Sequence, residues 1–133
     1  MTLDPLTGFV VVLAGTDAAT GSALLRCGTL LATVSDDKAV IAELEQVAAA
    51  EPTNVLLAFR ADPRELSTWQ RVSAHIEQRV GPVDAVVCTP ETAEPVHATF
   101  DADMQRRGHG AVLVLTAGQD VVSLLRRQLH RTP

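Results

Sequence analysis

Apolar positions along the chain gather into five short runs: Phe9–Ala14, Thr29–Val34, Asn54–Phe59, Val83–Cys88 and Ala111–Thr116. In the first and last of these, Val-Val-Val-Leu-Ala and Ala-Val-Leu-Val-Leu, apolar residues stand at successive positions instead of alternating. That pattern belongs to strands covered on both faces, as in a parallel sheet. Between the runs, apolar residues recur at three- and four-residue spacing, the period of helices. The second helix is expected over Asp37–Ala50, with Val40, Ile41, Leu44 and Val47 inward, and it stops before Pro52. In the third, Asp62 is placed to cap, Pro63 to take the first helical position and Glu65 to close a capping box. Leu66, Trp69, Val72, Ile76 and Val80 then form its apolar stripe, and Gly81-Pro82 ends it. A short fourth helix is expected around Thr99–Arg107. A fifth runs between Asp120 and Arg131, with Val121, Val122, Leu124, Leu125 and Leu129 over about half its circumference and Arg126, Arg127 and Arg131 on the other side. Strand and helix alternate throughout, so the expected fold class is α/β: a three-layer, doubly wound parallel sheet of five strands with right-handed crossovers.

Composition narrows the partners. The 133 residues, 47% apolar and 20% charged, suit one domain over residues 1–133. Eleven basic against sixteen acidic residues give a net charge of −5, which argues against a phosphate-backbone binder and against an anionic membrane surface. Three Phe, one Trp and no Tyr provide no stacking platform for single-stranded nucleic acid. The expectation is therefore no nucleic acid and no membrane partner. No apolar run approaches the roughly 18 residues of a membrane span. The opening Met1-Thr-Leu-Asp-Pro lacks the basic and apolar regions of a signal peptide. Cys27 and Cys88 are far apart, with no C-x-x-C and no His at metal-ligand spacing, so they read as reduced thiols of a cytoplasmic protein.

The first strand leads into Ala14-Gly15-Thr16-Asp17-Ala18-Ala19-Thr20-Gly21, which opens the first helix. Glycines there let the chain reverse tightly and let a pyrophosphate approach the helix N-terminal amides. An acidic residue, Asp36, lies 21 positions beyond Gly15 at the end of the second strand. Ala19 stands where a middle glycine would, and Asp17 places a negative charge beside the phosphate position while also suiting a helix N-cap. The turn thus reads as a dinucleotide or nucleotide site, as a tight βα turn that binds nothing, or as a site for another anion. Thr89, Thr116 and Asp36 fall on the same sheet edge with Thr20 nearby, either as a small ligand site or as helix caps. If the acidic position is Asp36 and not Ser35, it would accept from a ribose diol and repel a 2′-phosphate, favouring NAD(H) over NADP(H).

These segments together resemble the short-chain dehydrogenase/reductases, a Rossmann-fold family. Gly15–Gly21 sits where the family has T-G-x-x-x-G-x-G, with Ala14 for the threonine. Asp62-Pro63 matches the aspartate that contacts the adenine ring. Gly81-Pro82-Val83-Asp84-Ala85-Val86-Val87 resembles the lead-in G-x-I-D-x-L-V to strand four. The run from Met104 through Gly110 to Thr116 resembles M-x-x-x-x-x-G-x-I-V-N-I-S into strand five. The resemblance implies a Rossmann-like sheet of order 3-2-1-4-5 and an NAD(H) site formed by Gly15, Thr16, Asp17, Thr20, Gly21, Asp36, Asp62, Cys88, Thr89 and Thr116. It also exposes departures. The family's N-N-A-G is here Cys88-Thr89-Pro90-Glu91, and only about twenty residues separate Cys88 from Gly110, where the family has a long helix with a catalytic Asn. The catalytic Ser position falls near Thr116 or Ala117, Y-x-x-x-K has no counterpart, and the sequence stops at Pro133 before the family's sixth and seventh strands.

The family's carbonyl chemistry needs a phenol of lowered pKa with an ammonium beside it. The sequence has no Tyr. Its one Lys, Lys38, falls in the second helix near the adenine-ribose end, and its one Asn, Asn54, precedes strand three. Reductase catalysis by that mechanism is not expected, and no catalytic residue is assigned. Of the four His, His75 and His130 read as polar-face residues and His109 as part of the Gly-His-Gly turn. His97 is the candidate partner for a Cys88 nucleophile, against a buried inert thiol. A phosphoacceptor receiver is excluded because the first strand ends in Gly15 and no second Lys follows the last strand. The functional expectation is a non-catalytic nucleotide-sensing or protein-interaction subunit. The alternative is an NAD-dependent, oxidoreductase-like enzyme that borrows catalytic groups from a partner. In the resembling family the last helices form the subunit interface, so a homodimer through the last two helices is expected.

Overall fold

The strand β1 (Val10–Ala14) is buried at every position and pairs in parallel on both sides, as its unbroken apolar run requires. The computed structural model describes residues 4–116 and 119–129. After β1 come α1 (Ala18–Arg26), β2 (Leu30–Ser35), α2 (Lys38–Ala49), β3 (Val55–Arg60), α3 (Leu66–Arg79), β4 (Ala85–Cys88), α4 (Ala93–Arg107), β5 (Ala111–Val114) and α5 (Val121–Gln128). All four pairings are parallel and the sheet order is β3-β2-β1-β4-β5, the Rossmann-like arrangement that the sequence pattern and the resemblance anticipate. One face of the sheet packs Leu13, Leu31 and Val87 against α1, α2 and α5. The other packs Val12, Val34 and Val86 against α3 and α4. Among the described residues no helix is long and apolar enough to cross a membrane.

Element boundaries differ from the sequence reading in three places. The Asp62 carboxylate does not cap α3. It accepts from the Arg64 amide at 2.9 Å and binds the Arg64 guanidinium, while the Pro63 carbonyl takes the Trp69 indole N–H at 2.7 Å. These bonds close a separate turn, so the helix starts at Leu66 behind Glu65, which makes no side-chain cap, and Leu66 leaves the expected stripe to stand 45% exposed. The fourth helix begins at Ala93, not near Thr99. Pro95 sits in its first turn, where an N–H has no helical partner anyway, and Val96, Phe100 and Met104 at four-residue spacing face the core. Strand five ends at Val114, although Leu115 N still donates to Cys88 O. In α5, Val121 and Leu125 face the core beside Leu129, leaving Val122 and Leu124 half-buried. Ala117, His130 and Arg131 lie outside the described residues.

The central pair, β1 and β4, is pinned by side chains at both ends. At the entry end, Asp84 accepts from the Val10 amide at 2.7 Å and from His109 Nε2 at 2.8 Å. His109 is thereby a bracket at the amino edge of the sheet, opposite the glycine turn. At the exit end, Thr92 Oγ1 donates to Ala14 O at 3.3 Å.

Because Asp84 satisfies a strand-end amide, Asp84→Ala should cost about 2 kcal/mol in denaturant unfolding. His109→Ala removes a half-exposed pair and should cost less than about 1 kcal/mol. Equal costs would show that the imidazole, and not the amide, depends on Asp84.

Candidate functional site

In an open parallel sheet the crevice beyond the carboxyl ends, where neighbouring strands send their connections to opposite faces, is where ligands gather. Here that point is the β1–β4 pair. Beyond β1 the chain turns at Gly15, whose φ of +69° a side chain rarely adopts, and whose N–H donates to Val34 O at 2.9 Å. An added Cβ there would stand 3.3 Å from Pro63 Cγ and 3.5 Å from Thr92 Cγ2. The turns after β1, β3 and β4 therefore meet at this residue.

Thr16 follows, buried, with no hydrogen-bond partner for its hydroxyl among the described residues. Asp17 then caps α1, accepting from the Thr20 amide at 2.9 Å. The Thr20 side chain and then its amide hold the Asp17 carboxyl below the usual carboxylate range. The helix N-terminus that would receive a phosphate is thus already engaged by the protein's own anion. Gly21 is buried, and a Cβ on it would meet Leu44 Cδ2 at 2.6 Å, so its small size serves the packing of α1 on α2. Ala19 is exposed.

A groove of about 270 Å³ opens beside the turn, lined by Gly15, Asp36, Pro63, Arg64, Thr89, Glu91 and Thr92. Of the residues expected from the sequence, Gly15, Asp36 and Thr89 come together in it, and Asp62 stands next to it, holding Arg64. Asp36 is exposed, whereas Ser35 is buried and its hydroxyl accepts from the Asp37 amide. Of the two, Asp36 is the one exposed in the groove. Thr20 faces a different groove, between α1 and α5, with Ala19, Gln119 and Asp120. Thr116 is exposed past β5, its amide donating to Gln119 Oε1 at 2.9 Å.

Cys88 does not reach the crevice. Its side chain is fully buried in the core among Val96 and Phe100, and burial pushes its thiol up to about 11. His97 lies on the outer face of α4, 2.9 Å from Asp101. The structure does not assemble a Cys–His pair.

Sequence reasoning passed over Thr92, Arg64 and Glu91. Thr92 is the hub: its hydroxyl accepts from the Thr89 amide at 2.9 Å and bonds Ala14 O, joining the β4 exit to the β1 exit. The signal was Thr89-Pro90-Glu91-Thr92, a threonine-closed turn ahead of a helix. For a dinucleotide, the adenosine half fits: Asp36 offers a diol acceptor and Gly15 brings bare backbone to the groove. The pyrophosphate end fits less well, because it must displace the Asp17 carboxylate or bind beside it.

The fold defines a Rossmann-like α/β domain. No protein-family model and no curated protein matches the chain. Solved structures do. A Burkholderia xenovorans protein assigned to the short-chain dehydrogenase/reductases is 22% identical, with a TM-score of 0.69 over 82% of this chain and 56% of its own. A Serratia marcescens short-chain dehydrogenase/reductase is 27% identical, with a TM-score of 0.54 over 63% of this chain and 36% of its own. The NADH-dependent reductase A1-R′, complexed with NAD, is 15% identical, with a TM-score of 0.59 over 84% of this chain and 60% of its own. The fold is thus the one found in short-chain dehydrogenase/reductases, and the chain matches between 36% and 60% of the length of these neighbours.

With its pKa near 11, Cys88 should be about one part in a thousand thiolate at pH 8 and closed to reagents. Iodoacetamide followed by peptide mass spectrometry should leave Cys88 unmodified in the native protein and modify it in urea. Rapid native labelling would mean that strand four's end is open to the crevice.

Proposed function

We propose that the protein is a degenerate relative of the short-chain dehydrogenase/reductases that binds NAD(H) as a signal and performs no reaction on it. The observation that carries this reading is the Gly15–Asp36–Thr89 groove at the β1–β4 exit, which offers a ribose-diol acceptor and bare backbone to a nucleotide, in a sequence without a Tyr to serve as the family's phenol. The sequence contains no Tyr, and Lys38 is the first residue of α2, beyond β2, on the adenosine side of the crevice. NAD(H) brings a hydride-carrying ring when bound, and the Tyr–Lys pair that handles the accompanying proton in the family has no counterpart in the sequence. Asp36 would hold the ribose diol, Gly15 and Thr16 would face the phosphates, and Asp17 would weaken their binding to a reversible, sensing range. Such a role suits a cytoplasmic subunit that meets a second copy of itself through α4 and α5, with half-buried Leu124 the outward apolar residue of α5.

NADH binding followed by fluorescence and calorimetry should be saturable. Gly15→Asp, which adds charge at the groove, should weaken it about ten-fold or more. Asp17→Ser keeps an N-cap and removes the competing charge, so it should tighten binding several-fold. No binding by wild type or Asp17→Ser at millimolar NADH would end the nucleotide reading, and carbonyl reduction by the purified chain would end the non-catalytic one. Light scattering should give a dimer that Leu124→Asp dissociates. Leu125 is unsuitable for that test because it belongs to the protein's own core. A monomeric wild type would remove the self-association.

A further inference from the structure

We propose that the groove between β3 and α3 is a second ligand site, for a small organic anion with a carboxylate or phosphate monoester on a planar apolar body. The groove, about 480 Å³, is separate from the glycine turn. On α3, Thr68, Arg71, Val72 and His75 recur at the spacing of one helix face, and all four line it together with Phe59 and Arg60 of β3. The strand β3 is an edge of the sheet, so this face has no strand beyond it.

Three observations point to a ligand and to its charge. First, Arg60 and Arg71 both line the groove, and like Arg26, Arg79 and Arg127 they form no ion pair among the described residues, whereas Arg64, Arg106, Arg107 and Arg126 each hold a carboxylate. Arg71 reaches only the Ser67 carbonyl of its own helix, at 3.4 Å. In a chain of net charge −5, two guanidiniums lining one groove make it locally positive. Second, Thr68, on the inner face of α3 and 2% exposed, lines the groove wall. Its hydroxyl is a neutral hydrogen-bonding group at that wall. Third, the His75 ring meets Phe59 edge-on at 5.5 Å, and Phe59 and Val72 provide an apolar floor beside the cations. Guanidinium forks match carboxylate and phosphate oxygens and also stack on flat rings. Charge, one neutral donor and a flat apolar wall together select the ligand class.

The test uses the full chain and three probes: inorganic phosphate, benzoate and phenyl phosphate. Nuclear magnetic resonance of the His75 ring and the Thr68 amide locates binding, and calorimetry measures it. Phenyl phosphate should saturate, shift both reporters, and bind about five-fold or more tighter than inorganic phosphate because of the apolar floor. Benzoate at comparable strength would identify a carboxylate site, and much weaker benzoate a phosphate site. Arg60→Gln with Arg71→Gln should weaken binding about ten-fold or more, and Thr68→Val several-fold. Arg71→Lys, which keeps the charge and loses the fork, is the milder variant if the double one melts, and it should still weaken binding. Gly15→Asp should leave phenyl phosphate binding unchanged, so failure here and failure of the NAD(H) reading are separable. Non-saturable shifts, equal affinity in wild type and Arg variants, or shifts confined to Gly15 and Asp36 would overturn the proposal.

Discussion

Everything in this fold hangs on the joint between β1 and β4. The two strands are brought together across most of the chain, with no short connection to hold their register. Asp84 fixes one end by accepting from the Val10 amide, and Thr92 fixes the other by donating to the Ala14 carbonyl. Between those points, Val11–Ala14 lies against Ala85–Cys88 in unbroken register. A buried amide or carbonyl at a strand end is costly to leave unpaired, so these bonds define where each strand enters and leaves the sheet. The helices then follow: α1 and α2 must return on one face and α3 and α4 on the other, which opens the crevice at the exit end.

The same joint shapes the polar crevice at the exit end. Thr92 is committed to holding the two strand exits, and Cys88 is turned into the core. Gly15 is pressed between Pro63 and Thr92, so the exit is narrow. Asp17 satisfies the helix amide that a phosphate would otherwise take. In the proposed reading, a bound phosphate would compete with this internal carboxylate for the helix N-terminus.

Most of this was readable before any coordinates. The unbroken apolar run at Val10–Ala14 demanded a strand covered on both faces, and the alternation with helical spacing demanded parallel strands; the similar run at Ala111–Leu115 misled, because β5 is an edge strand, half-buried with Val114 exposed. The glycine turn was legible from its glycines and Asp17 from its capping position. What failed to show was tertiary. Asp62 looked like a helix cap because Pro63 followed it, but the Trp69 indole claims the Pro63 carbonyl and delays the helix. The start of α4 was hidden because Pro95 reads as a breaker unless its place in the first turn is known. Cys88 sat at the correct strand end, yet strand pleat alone decides whether a side chain meets solvent or core, and it meets core. Thr68, Arg60 and Arg71 showed no pattern in sequence, since β3 and α3 bring them together only in space.

The most direct measurement is a map of backbone amide shifts as NAD⁺ is added to the isotope-labelled chain. If the β1–β4 exit is a nucleotide site, the amides of Gly15, Thr16, Asp36 and Thr89 should move together and saturate, while those at the amino edge near Asp84 and His109 stay fixed. Fixed amides at the exit under saturating NAD⁺, or movement only at the amino edge, would contradict the account.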